Sequence, residues 1–522
     1  MFTNVIEKYK RQPILIICSI ILVIQFIFIG YYNLTLGRES LDPDMAKLYV
    51  HAVEMWKNKA ILVPGWSYIT TLELDCSLLL AVPLFGLLGD IYTAYGIANI
   101  IFLMLFMWTV FRLFSKENML YPVVALIFIL IPYRHGSLDY MNMLFFNGSQ
   151  YNIKVMLPLM LLGLLREDHR NININTFQYW EKIIFSGIFF LLTLITAFSS
   201  GIYVVATGLF PVIAGMFLWK KFNNESIKMS YYIYSFITAM MTILGMIMNY
   251  IFEINSKGNS MVLCNVLGQL QENISSCLIG IFELFGAAAY SEIKVMSSEG
   301  IDILIRLFFV FAIFVCGYIS FRKIKERQAD ELAAGLLAIF SWNTFVLLIC
   351  DTKYGAATYE YRYHLMGMIP MLCLMAVVLI DVLKRLKGKE KYIATMLVIA
   401  VVVVLNYTSY KNMGPRPYPY MDMVCEYARE VSADYVCFAD GDSMNAEICR
   451  LLDYENEDTV YLTVKKNGAL IVYDYYEKYI GREFVLENAI VLSDEQLEFI
   501  EVLGKNYQYC GELGNKFVYQ EI

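Results

Sequence analysis

Acidic, basic and histidine side chains gather in a few stretches that border apolar runs. The longest, SLDPDMAKLYVHAVEMWKN, occupies residues 40–58, and the others are PYRHGSLDYMN at 132–142 and DTKYGAATYEYRYH at 351–364. Carboxylates and imidazoles can transfer protons, and arginine or lysine can hold an anionic group. The candidate site residues are Asp42, Asp44, His51, Arg134, His135, Asp139, Lys154, Lys353 and Arg362.

Each candidate also has a purely structural explanation. Asp42 could cap a helix that begins at Pro43, and Asp44 would then favour the positive end of the helix dipole. The tyrosines are typical of an aromatic belt at a membrane interface, and an arginine or lysine at a span end often reaches water by snorkelling. Both explanations stay open, so the elements around the candidates matter.

The composition indicates a polytopic α-helical membrane protein. Hydrophobic residues make up 58% of the 522 residues, only 17% are charged, and the mean hydropathy is +0.53, which is too apolar for a soluble chain of this length. The first apolar run, residues 13–32, follows Lys8, Lys10 and Arg11. It predicts a retained anchor with a cytoplasmic N-terminus.

About eleven apolar runs are predicted to span the membrane. They lie at residues 13–32, 93–111, 119–133, 150–165, 183–199, 202–219, 231–251, 300–321, 332–350, 364–383 and 392–409. The run at 76–88 would reach only about 20 Å as a helix, against a core of about 30 Å, and the run at 119–133 is nearly as short, so the charges of the loops decide that 76–88 is not a span. This choice places most basic residues in inner loops. Residues 33–90 then form one external loop.

The start of that loop has helical periodicity. Apolar side chains recur at positions i, i+3, i+4 and i+7 from Met45 to Trp56, and the polar residues on the other side are Asp44, Lys47, His51, Glu54 and Asn58. The pattern predicts an amphipathic helix on the outer membrane surface. Its polar side, with Asp44 and His51, is expected to face water.

Residues 411–522 differ from the apolar part, residues 1–410. Short strand and helix patterns predict a small α/β domain, in which DEQLEFIEVL, residues 494–503, would form a helix capped by Ser493. Acidic residues greatly outnumber basic ones, which argues against nucleic acid as a partner. After an eleventh span this domain would be extracytoplasmic. Its four cysteines allow three disulfide pairings, and the sequence does not choose among them.

Several common catalytic motifs are absent from the sequence. FADGDSMN, residues 438–445, is similar to the Gly-Asp-Ser block of some esterases, but no histidine follows residue 410 to serve as a base. The chain has neither a Cys/His zinc spacing nor a glycine-rich phosphate loop. No nucleotide cofactor is therefore expected, and a divalent metal is left open.

The layout resembles the C-type glycosyltransferase superfamily, which includes protein mannosyltransferases and aminoarabinose transferases. The resemblance rests on the N-terminal span, an external loop that opens with acids on a surface helix, a second short apolar helix and about eleven spans. It implies that Asp44 or Asp42 is the catalytic carboxylate and that Asp139 is a second functional acid. The YEYRYHLMGMIP stretch is similar to the family's Arg-Tyr element before a late span.

The resemblance also implies the reaction and the partners. A carboxylate would deprotonate an acceptor hydroxyl, which attacks the anomeric carbon of a polyprenyl-phosphate sugar at the outer face of the membrane. Cations would stabilise the leaving phosphate, and the candidates are Arg134, Lys154, Lys353 and Arg362. Besides this donor, the expected partners are membrane lipid and a cell-surface polymer or lipid acceptor.

Two other classes of function stay open. A transporter or flippase for lipid-linked sugars would also need spans and outer charges, although transporters usually place polar residues near the membrane midplane. A non-enzymatic envelope protein is the third possibility.

The charge distribution generates a topology prediction. Single cysteines introduced at Lys57 and Asp494 should react with an impermeant thiol reagent in intact cells, and one at Lys389 should react only after permeabilisation. The expected difference arises because basic loops stay in the cytoplasm. Labelling at position 389 but not at 57 in intact cells would reverse the topology.

Overall fold

The computed structural model describes residues 13–40, 43–66, 68, 71–134, 138–167, 176–252, 261–263, 267–289, 291–328, 330–352, 360–414, 419–439, 443–456, 458–464, 470–471, 486–502, 504–514 and 516–521. In chain order the helices are α1 (Pro13–Thr35), α2 (Pro43–Asn58), α3 (Leu78–Leu88), α4 (Ile91–Leu113), α5 (Leu120–Ile129), α6 (Leu138–Leu144), α7 (Asn152–Glu167), α8 (Thr176–Ser200), α9 (Phe210–Phe222), α10 (Met229–Ile251), α11 (Leu267–Leu284), α12 (Ser298–Lys325), α13 (Glu331–Ile349), α14 (Tyr361–Arg385), α15 (Gly388–Asn412), α16 (Pro419–Glu430) and α17 (Ser443–Leu452). A π-helical turn, Val205–Leu209, precedes α9.

Nine helices of the described part are long and apolar enough to cross a membrane. They are α1, α4, α8, α9 together with its π-helical turn, α10, α12, α13, α14 and α15. The polytopic helical fold is therefore confirmed. The other two predicted spans are shorter helices: α5 has 10 residues and α7 has 16. At about 1.5 Å per residue, α5 covers roughly 15 Å. The orientation in the membrane stays a prediction, as does the domain boundary at 410/411.

Polar caps fix where several long helices begin. The side chain of Asp90 accepts a 2.7 Å hydrogen bond from the backbone N–H of Thr93 at the start of α4. Ser297 does the same for Gly300 in α12, and Asp330 for Ala333 in α13. Because the first N–H groups of a helix have no partner within the helix, these caps stabilise its N-terminus by about 1 kcal/mol each.

α14 is the most deeply buried of the nine candidate spans in the described part of the chain, because 78% of its apolar 18-residue stretch is buried inside the structure. It packs against α13, α12 and α5, and its first turn carries the YRYH part of the late stretch. A helix buried on most sides cannot shift without moving its neighbours, because protein interiors are close-packed. The side chains at its start are therefore held in a rigid frame.

α2 matches the predicted helix but lies inside the structure. On one side the rings of Tyr49 and Tyr95 stack with centroids 3.9 Å apart, and the Tyr95 hydroxyl donates a 2.7 Å hydrogen bond to the carbonyl of Leu48. On the other side Lys47 and His51 are buried. The expectation that these two side chains face water is wrong, because the loop before α3 and helix α17 cover them.

The C-terminal part forms the predicted α/β domain. Its strands are β3 (Tyr435–Phe438), β4 (Val460–Val464), β5 (Leu470–Ile471), β6 (Ala489–Ser493), β7 (Phe499–Val502), β8 (Lys505–Leu513) and β9 (Lys516–Glu521); β1 (Met261–Leu263) and β2 (Cys350–Thr352) pair earlier in the chain. The strand order is β5-β4-β3-β6-β9-β8-β7. β3 is parallel to β4 and β6, and the remaining pairs are antiparallel.

The helix expected at 494–503 is wrong, since this segment contains β7. Phe499 pairs with Gln508 and Val502 with Lys505 across an antiparallel hairpin. The Ser493 hydroxyl does bond a following N–H, but it accepts from Glu495 in a turn. The four cysteines of this domain, Cys425, Cys437, Cys449 and Cys510, are free.

Candidate active site

Asp44 stands in the first turn of α2 with its side chain exposed. Its negative charge acts on the guanidinium of Arg362 at the start of α14. The buried body of α2 fixes the backbone that carries Asp44. The structure thus brings an accessible carboxylate and a candidate cation together, although their positions are more than 300 residues apart in sequence.

Arg362 keeps 31% of its side chain exposed. Its Nε atom lies 2.7 Å from Oε2 of Glu360, and its guanidinium carbon is 5.4 Å from the ring centroid of Tyr363. The positive charge of Arg362 also acts on the hydroxyls of Tyr151 and Tyr203. Both side chains are neutral hydroxyls at pH 7, as is usual for tyrosine. Arg362, Tyr151 and Tyr203 together can bind an anion through the guanidinium and the two hydroxyls.

Lys154 is tied to a buried carboxylate that the sequence analysis missed. Its Nζ atom lies 3.4 Å from Oδ2 of Asp75 and 5.4 Å from the ring centroid of Tyr151. Asp75 also accepts hydrogen bonds from the hydroxyls of Ser199 at 2.8 Å and Ser200 at 2.7 Å. The cluster anchors the loop before α3 to the end of α8. Tyr151 lies between Lys154 and Arg362.

Arg134 and Asp139, both predicted site residues, contact each other. Arg134 Nη1 lies 3.4 Å from Oδ2 of Asp139, and Nη2 lies 2.9 Å from Oε1 of Glu283 in α11. The guanidinium also lies over the ring of Tyr361, 4.0 Å from its centroid. The positive φ of Arg134, 63°, is unusual for a residue with a side chain and is maintained by these contacts. Arg134 thus holds the start of α14 next to Arg362.

His51 belongs to a second, buried cluster. The Nδ1 atom of His51 lies 3.6 Å from Oε2 of Glu73, and Nζ of Lys47 lies 2.6 Å from Oε1. The imidazole stacks on Trp66 with centroids 4.5 Å apart. Burial lowers the pKa of His51, although Glu73 opposes this shift, so the ring is neutral at pH 7.

The pKa of Glu73 is held at about 2 within this cluster. Burial alone would raise it, but the charge of Lys47, with a smaller contribution from the nearby imidazole of His51, outweighs that effect. Burial raises the pKa of Glu447 in α17 above its usual value. Lys47 lies close enough to this carboxyl for its positive charge to oppose part of that rise. The cluster therefore connects α2 to the loop and to the C-terminal domain. It is a structural clamp for the helix that carries Asp44.

The remaining candidates Asp42, His135 and Lys353 lie outside the described residues. Asp75, Glu73 and Glu283 were not identified from the sequence. The stretch LELDCS, residues 72–77, could have indicated Asp75 and Glu73, because its acids alternate with apolar residues as in a half-buried extended segment. Within the described ranges, no three His, Cys, Asp or Glu side chains form a group that could hold a metal ion.

Comparison with known proteins gives weak similarity only. No family model and no curated protein matches the sequence. Three solved chains match, among them crystal structures of the Archaeoglobus fulgidus oligosaccharyltransferase. One of these structures is tethered by a disulfide bond to an acceptor peptide with the NVT sequon. It shares 12% sequence identity with this chain at a TM-score of 0.49, and the match covers 85% of this chain and 63% of that one.

The other structure, a complex with Zn and sulfate, shares 11% identity at a TM-score of 0.44 and covers 91% of this chain and 68% of that one. This chain therefore spans 63% to 68% of the length of the structures it matches. At this level of similarity the chain is not assigned to a family.

The clamp predicts a pH-dependent contribution to stability. Glu73→Gln should lower the free energy of unfolding at pH 7 by about 3–5 kcal/mol, because Lys47 would keep a buried charge without its carboxylate. The pKa of Glu73 is lowered from 4.5 in the unfolded chain to about 2 in the folded one, so the stabilisation is present above pH 4.5 and is lost as pH falls toward about 2. Thermal unfolding in detergent across this range measures the difference.

The control is the double variant Lys47→Met/Glu73→Leu, which removes both charges together. It should unfold closer to the parent than Glu73→Gln does, because no unpaired charge remains. Equal stability of Glu73→Gln and the parent at pH 7 would contradict the clamp.

Proposed function

We propose that the protein is a membrane glycosyltransferase that moves a sugar from a polyprenyl-phosphate donor to a cell-envelope acceptor at the outer face of the membrane. The observation that carries this proposal is an exposed Asp44 carboxylate within electrostatic reach of the partly exposed guanidinium of Arg362. One group can take a proton from an acceptor, and the other can hold the phosphate that leaves. Both stand at the ends of helices that are buried in the bundle.

In the proposed reaction Asp44 is the general base. It takes the proton of an acceptor hydroxyl, whose oxygen then bonds to the anomeric carbon of the donor sugar. The bond between that carbon and the phosphate oxygen breaks, and its electron pair leaves with the lipid phosphate. Asp42 precedes Asp44 by two residues and is the alternative base.

The candidate cations differ in the carboxylates that they already contact. Arg134 contacts two carboxylates, and Lys154 lies beside the buried Asp75. Arg362 contacts the carboxylate of Glu360, and a guanidinium has five N–H donors. Arg362 is thus best placed to stabilise the charge that develops on the phosphate. Lys353 and His135 complete the proposed binding set, with Arg134, Asp139 and Lys154 as its support.

The proposed location of the reaction follows from the architecture. The lipid tail would lie along the apolar spans, while the phosphate and sugar reach Asp44 at their outer ends. The acidic domain after α15 would be extracytoplasmic and covers α2. A divalent metal would be a cofactor only if residues beyond the described ranges complete its ligands. The two oligosaccharyltransferase structures belong to the same broad reaction class, but the proposal rests on the contacts in this chain.

The charges buried inside the spans favour a transport function less than they favour glycosyl transfer. Arg306 in α12 is fully buried, and its Nε atom lies 2.8 Å from Oδ2 of Asp302. Its Nη2 atom donates to the hydroxyls of Thr408 and Ser409 in α15. This arginine thus fastens α12 to α15, and it also donates to the carbonyl of Phe285, so four of its five N–H groups have partners. A substrate ion in transit would need such a group to be available.

The base is tested by paired substitutions. Asp44→Asn should leave expression and donor binding near those of the parent and lower the transfer rate about a hundredfold or more, because the amide cannot accept the proton. Asp42→Asn should remain close to the parent, since asparagine caps a helix as well as aspartate does. Transfer to acceptor extracts from a panel of polyprenyl-phosphate sugars provides the measurement.

The opposite pattern, with loss of transfer only in Asp42→Asn, would move the base to Asp42. If both variants transfer sugar at the parent rate, the glycosyltransferase proposal is wrong.

The phosphate contact is tested separately. Arg362→Ala should weaken binding of the polyprenyl-phosphate sugar about tenfold or more, whereas thermal stability should change little because the side chain is partly exposed. Arg322→Ala is the matched control, since Arg322 is also paired with a glutamate but is 68% exposed at the far end of α12. Unchanged donor affinity in Arg362→Ala would exclude this arginine from the phosphate site.

A further inference from the structure

A polar cleft lies where the C-terminal domain meets the helical bundle. Its volume is about 460 Å³, within the range of roughly 300–1,000 Å³ that is usual for small-molecule sites. The bundle contributes Arg38 and Tyr92, and the domain contributes Arg429, Asp453, Tyr454 and Glu455. A ligand in this cleft would contact both parts of the chain.

The cleft is separate from the Asp44 site. The ring of Tyr92 lies 5.7 Å from that of Tyr49 on α2, and Lys57 at the end of α2 donates a 3.4 Å hydrogen bond to the carbonyl of Tyr454. At about 100° per residue, Tyr49 and Lys57 lie roughly 140° and 220° around the helix from Asp44. The helix therefore stands between the two sites, and one sugar residue cannot occupy both.

The charges of the cleft disfavour an anionic ligand. Arg38 forms an ion pair with Asp422 in the first turn of α16. Arg429 Nη2 lies 2.7 Å from Oδ1 of Asp453, which is 2% exposed. Each arginine is paired with one carboxylate, and the exposed Glu455 adds a further negative charge, so the charges around the cleft sum to minus one. A phosphate or carboxylate would meet this net negative charge.

The same side chains suit a neutral ligand that is rich in hydroxyls. Each guanidinium has five N–H donors, and its ion pair uses only part of them. Asp453 already accepts from Arg429, Asn456 and Tyr461, whereas the exposed carboxylate of Glu455 supplies acceptor oxygens beside the guanidinium donors. Tyr92 and Tyr454 add aromatic rings, whose faces pack against apolar surfaces such as the C–H face of a sugar ring. Vicinal hydroxyls on a sugar ring match this arrangement.

We propose that this cleft is a carbohydrate-binding site for neutral sugar residues, separate from the site of transfer. It would hold a glycan between the bundle and the C-terminal domain, on the side of α2 that faces away from Asp44. Its identification as the acceptor glycan rests on the proposed function, whereas the binding itself does not depend on transfer.

The test measures binding to purified full-length protein in detergent. The probes are short neutral oligosaccharides of glucose, galactose, mannose and N-acetylglucosamine, with inorganic phosphate and an acidic oligosaccharide as competing classes. Saturable binding of at least one neutral probe is expected. It should weaken about tenfold, or about 1.4 kcal/mol, in Tyr454→Ala and in Glu455→Gln. Glu487→Gln, an exposed acid elsewhere in the same domain, should bind like the parent.

Three results would overturn the site: no binding of any neutral probe, equal binding by both cleft variants and the parent, or stronger binding of phosphate or the acidic oligosaccharide. Glu455→Gln changes an exposed carboxylate to an amide of the same shape, so a loss of binding there does not reflect misfolding. A parent that binds glycan but transfers no sugar would contradict the proposed function and leave the cleft standing. Transfer without glycan binding would contradict the cleft alone.

Discussion

An ion pair between a lysine of α2 and the loop that follows lies at the centre of the buried surface of this helix. Lys47 and Glu73 lie 2.6 Å apart, and both side chains are about nine-tenths buried. Taking either charge out of water alone would be strongly unfavourable, so the two must be buried together. Their pairing closes the loop over α2 and allows the C-terminal domain to pack on top. The position of Asp44 in the first turn follows from this closed arrangement.

Around Asp44, the cations have different electrostatic environments although their residue types are similar. Arg134 and Lys154 lie beside carboxylates that fix loops and helix starts, whereas Arg362 remains partly accessible. A rigid surround is what a reacting group requires, because small displacements strongly reduce the rate. The charges that hold the frame and the charges available for chemistry therefore occupy neighbouring but different positions.

The sequence predicted what depends on local pattern. The long apolar runs and the periodicity of α2 were sufficient for the helices, and short strand and helix patterns were sufficient for the α/β class of the C-terminal domain. It could not predict which partner covers a polar face, so Lys47 and His51 were assigned to water. The strand β7 was mistaken for a helix because its structure depends on pairing with β8. Asp75 was missed because its partners Lys154, Ser199 and Ser200 come much later in the chain.

The contact between α2 and α17 has a consequence for the biogenesis of the protein. α17 begins at Ser443, whereas α2 begins at Pro43, so the ribosome completes every helix of the bundle before it synthesises the cover. Domains generally fold in the order in which they emerge. Until the tail has been made and packed, Lys47 lacks the neighbouring Glu447 and the interdomain cleft lacks one wall. Packing of this domain onto α2 therefore follows synthesis of the bundle, and a chain that stalls after α15 would lack the contact with α17.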